Sequence, residues 1–393
     1  MATIQRRSFL KASGLSLLPA FVPNSIFASR SNLVPEPDTQ TVRFFFDGEL
    51  LDPAGYISKL TQINSVTPIK MDFYGQGGAV SAMEKKFEEI TGKEKAIFMP
   101  TGTMANQLAI SVLSGENAKV FVQETSHVFR DEADAAQTVF NKRLIPLAKG
   151  ETYFTAQGLE ESVDYHIHGE VFKSGFGAIS VENPVRRADG RMVPIEEIRK
   201  ISAYCRKNNF KLHLDGARIY MASAWSGTSI KEYASYFDTI YISLYKYLGA
   251  SAGAVLCGDK VVIDKMQHLV KVHGGSMFGN WMNAAMVLHK LDGIEDRMQK
   301  IVKKSQEVFD RLNQLTGIKI NSPGGGTNIY ILKLSPGIDS KKLVETLSKD
   351  HSIWINRPND QGEVRLTVNE TLLFKETKFI ADAFTEALKK AKT

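Results

Sequence analysis

Cysteine is nearly absent: Cys205 and Cys257 are the two in 393 residues. Two thiols cannot make a disulfide framework. Cys205 falls on the stripe Ile195, Ile198, Ile201, Cys205 of a predicted helix, and Cys257 ends a predicted core strand. Both positions suit a small apolar residue better than a ligand, and no metal site is expected. A long basic block interleaved with aromatics is also missing. The formal net charge of +6 is spread along the chain, which argues against nucleic-acid binding. There is no internal repeat and no low-complexity tract. What is present is 43% hydrophobic and 23% charged residues, enough for one large domain and a smaller one.

The first residues read as a targeting segment. Gln5-Arg6-Arg7-Ser8-Phe9-Leu10-Lys11 matches the twin-arginine export pattern, and a weakly apolar stretch, Leu15 to Phe27, comes next with Pro19 and Pro23 inside it. That stretch is too short to span a bilayer as a helix. Residues 1–28 are therefore expected to be a signal peptide and 29–40 a linker. The mature protein is expected in the periplasm, off the membrane, after using the twin-arginine export machinery. This route carries folded proteins, so a cytosolic cofactor would be loaded first.

The chemistry centres on one lysine. Thr239 to Ser243 is a short β-branched strand, Lys246 comes after it, and Gly249-Ala250-Ser251-Ala252-Gly253 precedes a second apolar strand at Ala254. A buried lysine costs several kcal/mol unless neutral, paired or covalently bound. A desolvated amine is nucleophilic, and the small residues leave room for a flat aldehyde cofactor held as a Schiff base. A surface lysine after a strand is the plainer reading of this stretch alone. One strand earlier, Phe210-Lys-Leu-His-Leu-Asp215-Gly-Ala-Arg218 reads as a strand ending in an acid. Ligands of open α/β sheets sit at the carboxyl ends of strands. Pyridoxal phosphate needs a carboxylate against its ring nitrogen to act as an electron sink. Asp215 taken alone is a helix N-cap or Asx-turn; beside Lys246 it fits the cofactor.

Two further strand ends fit. Lys95 to Met99 leads into Pro100-Thr101-Gly102-Thr103, where a helix begins. Free N–H groups and the helix dipole make such a start an anion site, so the phosphate is assigned to the amides of Gly102 and Thr103, with the Thr103 hydroxyl helping. After the strand Lys119 to Gln123 comes His127, placed to stack on a pyridine ring and to move a proton. Alternating strands and helices with short links argue a mostly parallel sheet covered on both faces.

His-Leu-Asp215-Gly-Ala-Arg218 and the Lys246 turn together resemble the low-specificity threonine aldolases, β-eliminating lyases of fold-type I, from about Phe44 to Arg365. The resemblance implies an α/β fold like that of the aspartate aminotransferases, with a large cofactor domain, 41–290, and a small C-terminal α+β domain, 291–393. It implies a lyase that cleaves a β-hydroxy amino acid to glycine and an aldehyde. The alternatives are another β-eliminating lyase, a racemase, or an exported pyridoxal-phosphate-binding protein without turnover. Lys246, Asp215 and His127 become catalytic. A helix carrying a glutamate should come after His127. Arg218 and Arg365 should hold the substrate carboxylate, with Arg218 also binding the cofactor at its ring hydroxyl. The Tyr74-Gly75 loop resembles one that approaches a neighbouring subunit, so a homodimer or homotetramer is expected. Three positions depart from the family. Val185 replaces a histidine that meets the substrate hydroxyl, Phe46 replaces a serine, and Phe278 stands where an arginine often reaches the phosphate. Val185 is therefore expected to line the substrate site and to slow threonine cleavage.

Replacing Arg6 and Arg7 together by lysine is expected to leave the protein in the cytoplasm. Cell fractionation checks this, and an unchanged periplasmic yield contradicts it.

Overall fold

A computed structural model describes residues 40–392; the expected signal peptide and linker lie outside them, save Gln40. From Gln40 onward the chain forms one compact unit. Its strands are β1 (Val42–Arg43), β2 (Lys95–Met99), β3 (Lys119–Gln123), β4 (Arg143–Leu147), β5 (Phe176–Glu182), β6 (Lys211–Asp215), β7 (Thr239–Ser243), β8 (Ala254–Gly258), β9 (Ile318–Asn321), β10 (Ile329–Leu334), β11 (Ile353–Trp354) and β12 (Glu363–Thr367).

The main sheet has seven strands in the order β2-β8-β7-β6-β5-β3-β4. From β7 to β4 every pairing is parallel; β8 runs antiparallel to both its neighbours. Every residue of β3, β7 and β8 is buried, as a sheet covered on both faces requires. The helix Gly102–Ser114 lies across β5 to β8 and buries Met104, Ala105, Leu108, Ala109 and Ile110. Fully burying one leucine or isoleucine contributes about 1.5–3 kcal/mol, so this helix is firmly seated. The Thr101 side chain accepts from the Met104 N–H at 3.1 Å and caps its start.

The other sheet is antiparallel, β12-β10-β9, and the short pair β1-β11 is parallel. The mostly parallel α/β architecture agrees with the sequence reading; several details differ. The strand expected over Val42 to Phe46 is regular only at Val42–Arg43. Strands β4 and β9 were not expected: Pro146 and two flanking charges hide the first, and the second has four residues after a long helical pattern. The helix expected over Val262 to Val272 is two short ones, Lys260–Ile263 and Met266–Val272.

Strand β1 brings the start of the described chain back to the C-terminal region, and one side chain secures the turn beyond it. Asn369, 1% exposed, sets its amide nitrogen 2.9, 3.0 and 3.2 Å from the carbonyls of Arg43, Phe45 and Phe46, which share its two hydrogens. Phe46 sits at φ +65°, a strained conformation for a bulky residue. The tether delivers Asp47 and Gly48 to the lysine loop, where a Cβ on Gly48 would stand 2.8 Å from the Lys246 carbonyl oxygen.

Asn369→Ala removes the amide that ties the three carbonyls of this turn together. It should cost about 1–3 kcal/mol, read as a lowered midpoint of urea unfolding. An unchanged midpoint contradicts the tether.

Candidate active site

Five loops leave the same end of the main sheet and meet there. Lys246 comes after β7, Asp215 ends β6, Glu182 ends β5, His127 comes after β3, and Thr101-Gly102-Thr103 come after β2. They enclose a cavity of about 290 Å³ whose lining includes Gly102, Thr103, His127, Asp215, Arg218 and Lys246. A larger cavity of about 720 Å³, between the Tyr74 loop and β2, contains none of these six. Converging chemistry, not size, marks the smaller one.

The Lys246 amine makes no hydrogen bond or ion pair among the described residues; it lies 4.9 Å from the Tyr245 ring centroid. Burial, and next the Arg218 guanidinium, lower its pKa to about 8, while Asp47, Asp215 and Glu182 pull the other way. Roughly one such amine in ten is neutral at pH 7, against fewer than one in a thousand for an ordinary lysine. Arg218 is itself clamped: its Nε and Nη2 both donate to Asp47, each at 2.9 Å. Burial opposes the charge on both partners. The facing charge and hydrogen bonds prevail, so Asp47 falls below its usual range and Arg218 rises above its own.

The opposite wall is acidic. Asp215, 1% exposed, accepts from the Ala217 N–H at 3.1 Å and from the Asn106 amide at 2.9 Å. His127 Nδ1 pairs with Glu132 Oε1 at 2.9 Å. One ligand atom each from His127, Glu132 and Asp215 lies within 4.8 Å of the others. Burial works against a charged His127, but the Glu132 hydrogen bond and the charges of Asp215, Glu132 and Glu182 outweigh it and raise its pKa. Glu182 is buried beneath and accepts from the N–H groups of His127 and Arg186 at 2.8 and 2.9 Å; burial, then Asp215, push its pKa up.

The structure thus gathers Gly102, Thr103, His127, Asp215, Arg218 and Lys246 in one cavity. It does not bring Val185 or Arg365 there. Val185 is fully buried, its N–H held by the Arg191 carbonyl at 2.8 Å, so it does not line the substrate space. Arg365 alternates with the core residues Val364 and Leu366 and therefore points away from them, 3.4 Å from Asp189 and half-exposed. The Arg218 fork faces Asp47, which leaves less of it for a substrate carboxylate than expected. Sequence reading missed the roles of Asp47, Asn106 and Glu182. Asn106 had a signal, a polar residue inside the apolar run Met104 to Ile110; Asp47 had none, since its partner lies 171 positions away.

A family model described as beta-eliminating lyase matches residues 66–335. The chain belongs to the β-eliminating lyase family. Among relatives, the low-specificity L-threonine aldolase of Candida albicans is 35% identical over 274 residues, 69% of this chain and 72% of that protein. An alanine racemase of Cochliobolus carbonum is 33% identical over 213 residues, 54% of each chain. The solved structure of Leishmania major threonine aldolase aligns with TM-score 0.68 at 19% identity, covering 88% of this chain and 98% of that one, and speaks for the shared fold.

The lyase takes pyridoxal phosphate, and the cavity fits it. The N–H groups of Gly102 and Thr103 have no partner among the described residues and open the helix Gly102–Ser114, where a phosphate is favoured. A Cβ on Gly102 would stand 2.0 Å from the Tyr241 hydroxyl, so the turn admits no side chain there. Lys246 offers an unpaired amine for the aldehyde, Asp215 a buried carboxylate for the ring nitrogen, and His127 a ring to stack.

In cofactor-free protein, acylation of Lys246 should be half-maximal at about pH 8, its amine reactive above that pH and protonated below it. Asp47→Asn removes a charge that raises this pKa, so the midpoint should move lower. A midpoint near 10, or an upward move in the variant, contradicts the electrostatics; peptide mass mapping against pH reads both.

Proposed function

We propose that this lyase cleaves the Cα–Cβ bond of a β-hydroxy amino acid, releasing glycine and an aldehyde, as the names of its threonine aldolase relatives suggest. The observation that carries this reading is the unpaired Lys246 amine facing a buried Asp215 across a cavity whose phosphate end is the open helix start at Gly102. When bound, the cofactor supplies the sink for the electron pair left on Cα. The residues of the chain do the rest. Asp215, sheltered from water, holds the ring-nitrogen proton. Lys246 would hold the cofactor's aldehyde carbon and would move a proton at Cα. His127 is the imidazole in the cavity lining that takes the β-hydroxyl proton, and Glu132 orients it. Arg218, steadied by Asp47, presents positive charge to the substrate carboxylate. Arg186 and Arg365 add charge beside the 186–189 turn, where Arg365 Nη2 donates to the Arg186 carbonyl at 3.4 Å.

The active unit is a homodimer or homotetramer in this reading. Exposed Phe73, Tyr74 and Phe278 pack edge to face, with ring centroids 5.6 and 5.4 Å apart. Together with exposed Met71 and Met282 they make an apolar patch of the kind a second copy covers. The Arg6-Arg7 pattern supports export of the folded, loaded protein to the periplasm.

Incubation with threonine should release glycine and acetaldehyde, with a rate that rises with pH as His127, whose pKa its carboxylate neighbours hold above the usual value, loses its proton. His127→Asn should lower the rate about 10²–10⁴-fold while the cofactor stays bound. A full amino-acid panel that yields no aldehyde, or an unimpaired His127→Asn enzyme, contradicts the proposal.

A further inference from the structure

Behind the cavity wall runs a polar chain to which the proposed reaction gives no task. Asn106 is fully buried in the helix Gly102–Ser114. Its amide nitrogen donates to Glu132 Oε1 at 2.7 Å and to Asp215 Oδ2 at 2.9 Å. An amide nitrogen carries two hydrogens, so each carboxylate receives one and none is left. The Asn106 oxygen lies 3.0 Å from His213 Nε2, and His213 Nδ1 lies 2.8 Å from the Thr239 hydroxyl. The reverse amide orientation would set its oxygen against two carboxylates, acceptor against acceptor, which fixes the orientation. The Asn106 oxygen only accepts, so Nε2 of His213 must carry the hydrogen and the Thr239 hydroxyl must donate to Nδ1. His213 is fully buried, and burial lowers its pKa to about 4, which keeps the ring neutral.

We propose that His213 and Asn106 are positioning residues: His213, locked as the Nε2–H tautomer, holds the Asn106 amide so that it bridges Asp215 and Glu132. The bridge joins the carboxylate assigned to the cofactor ring nitrogen to the carboxylate that orients His127. Without it two buried carboxylates lie close together with no shared donor, and each favours a proton on the other. A proton on Asp215 removes its hold on the ring nitrogen; a proton on Glu132 removes the charge that supports His127. Asp215, Glu132 and Glu182 all face the His127 imidazole, so loosening the bridge changes how that imidazole titrates. The arrangement makes a histidine that touches neither substrate nor cofactor a determinant of the electronics of the site. The inference rests on the cofactor assignment, but its first test does not need the cofactor.

The test has two arms. In the first, histidine-¹⁵N NMR of wild-type protein, with and without pyridoxal phosphate, reads the tautomer of His213; its signal is assigned by its loss in His213→Gln. The expected result is the Nε2–H pattern, unchanged from pH 5 to 9. In the second, pyridoxal phosphate affinity and the pH titration of the bound cofactor's visible absorbance are compared among variants. Asn106→Leu and His213→Leu should weaken affinity about tenfold to a hundredfold, the scale of hydrogen bonds to charged groups, and shift the absorbance midpoint. In His213→Gln the side-chain amide can donate where Nε2–H did, so both readouts should return towards wild type. An Nδ1–H tautomer, or titration of His213 within that pH range, overturns the proposal. So does a loss of thermal stability in the leucine variants with affinity and absorbance midpoint unmoved, which marks a merely structural role. If the leucine variants fail to fold, the wild-type tautomer decides. Failure of wild-type protein to bind pyridoxal phosphate would instead strike the cofactor assignment and leave the tautomer result standing.

Discussion

The amine of Lys246 is kept short of partners. A lysine at the end of a core strand would ordinarily be paired or solvated, and either would hold it protonated near neutral pH. Here burial and the Arg218 charge push its pKa down, and the carboxylates of Asp47, Asp215 and Glu182 limit the fall. The value near 8 is a balance: a stronger clamp on Arg218 or a closer acid would restore an ordinary lysine. The site depends on that balance, and so does the path of the chain around it. The Asn369 tether, the strained turn at Phe46 and the bare Cα of Gly48 together set Asp47 against Arg218.

Two sides of the cavity are built by different means. The Lys246 side is held by elements from the two ends of the described chain, β1 and the Asn369 turn, meeting the loop after β7. The acidic side is made within the main sheet and its covering helix, through Asn106, Asp215, Glu132 and Glu182. The parallel strands from β3 to β7 end at one level, which is where open α/β sheets gather their ligands. The phosphate end needs no positive side chain, because free amides and the dipole of a helix start serve an anion. Phe278 packs on Phe73 and Tyr74 in the exposed apolar patch.

The groups legible in the sequence were those that their own strand end delivers. Lys246, Asp215, His127 and the Gly102-Thr103 turn each come after a short apolar run, and local pattern suffices for them. Strand-helix alternation pointed to the mostly parallel sheet, and the family likeness supplied the reaction. Asp47 was illegible because it reaches Arg218 through a tether of backbone carbonyls that no local pattern announces. Arg365 went elsewhere because strand alternation on β12 fixes its face once Val364 and Leu366 enter the core. Val185 was read as a wall of the substrate space, yet the turn after β5 folds it inward, its N–H closed against Arg191. Strand β4 escaped because an edge strand tolerates Pro146.

The central claim is that Lys246, among all the lysines, is the residue that holds the cofactor. Borohydride reduction of the protein loaded with pyridoxal phosphate, with peptide mapping afterwards, tests it most directly. The account predicts a single pyridoxyl label on Lys246. A label on Lys271, which lines the larger cavity, or one spread over surface lysines with Lys246 unmodified, would contradict it.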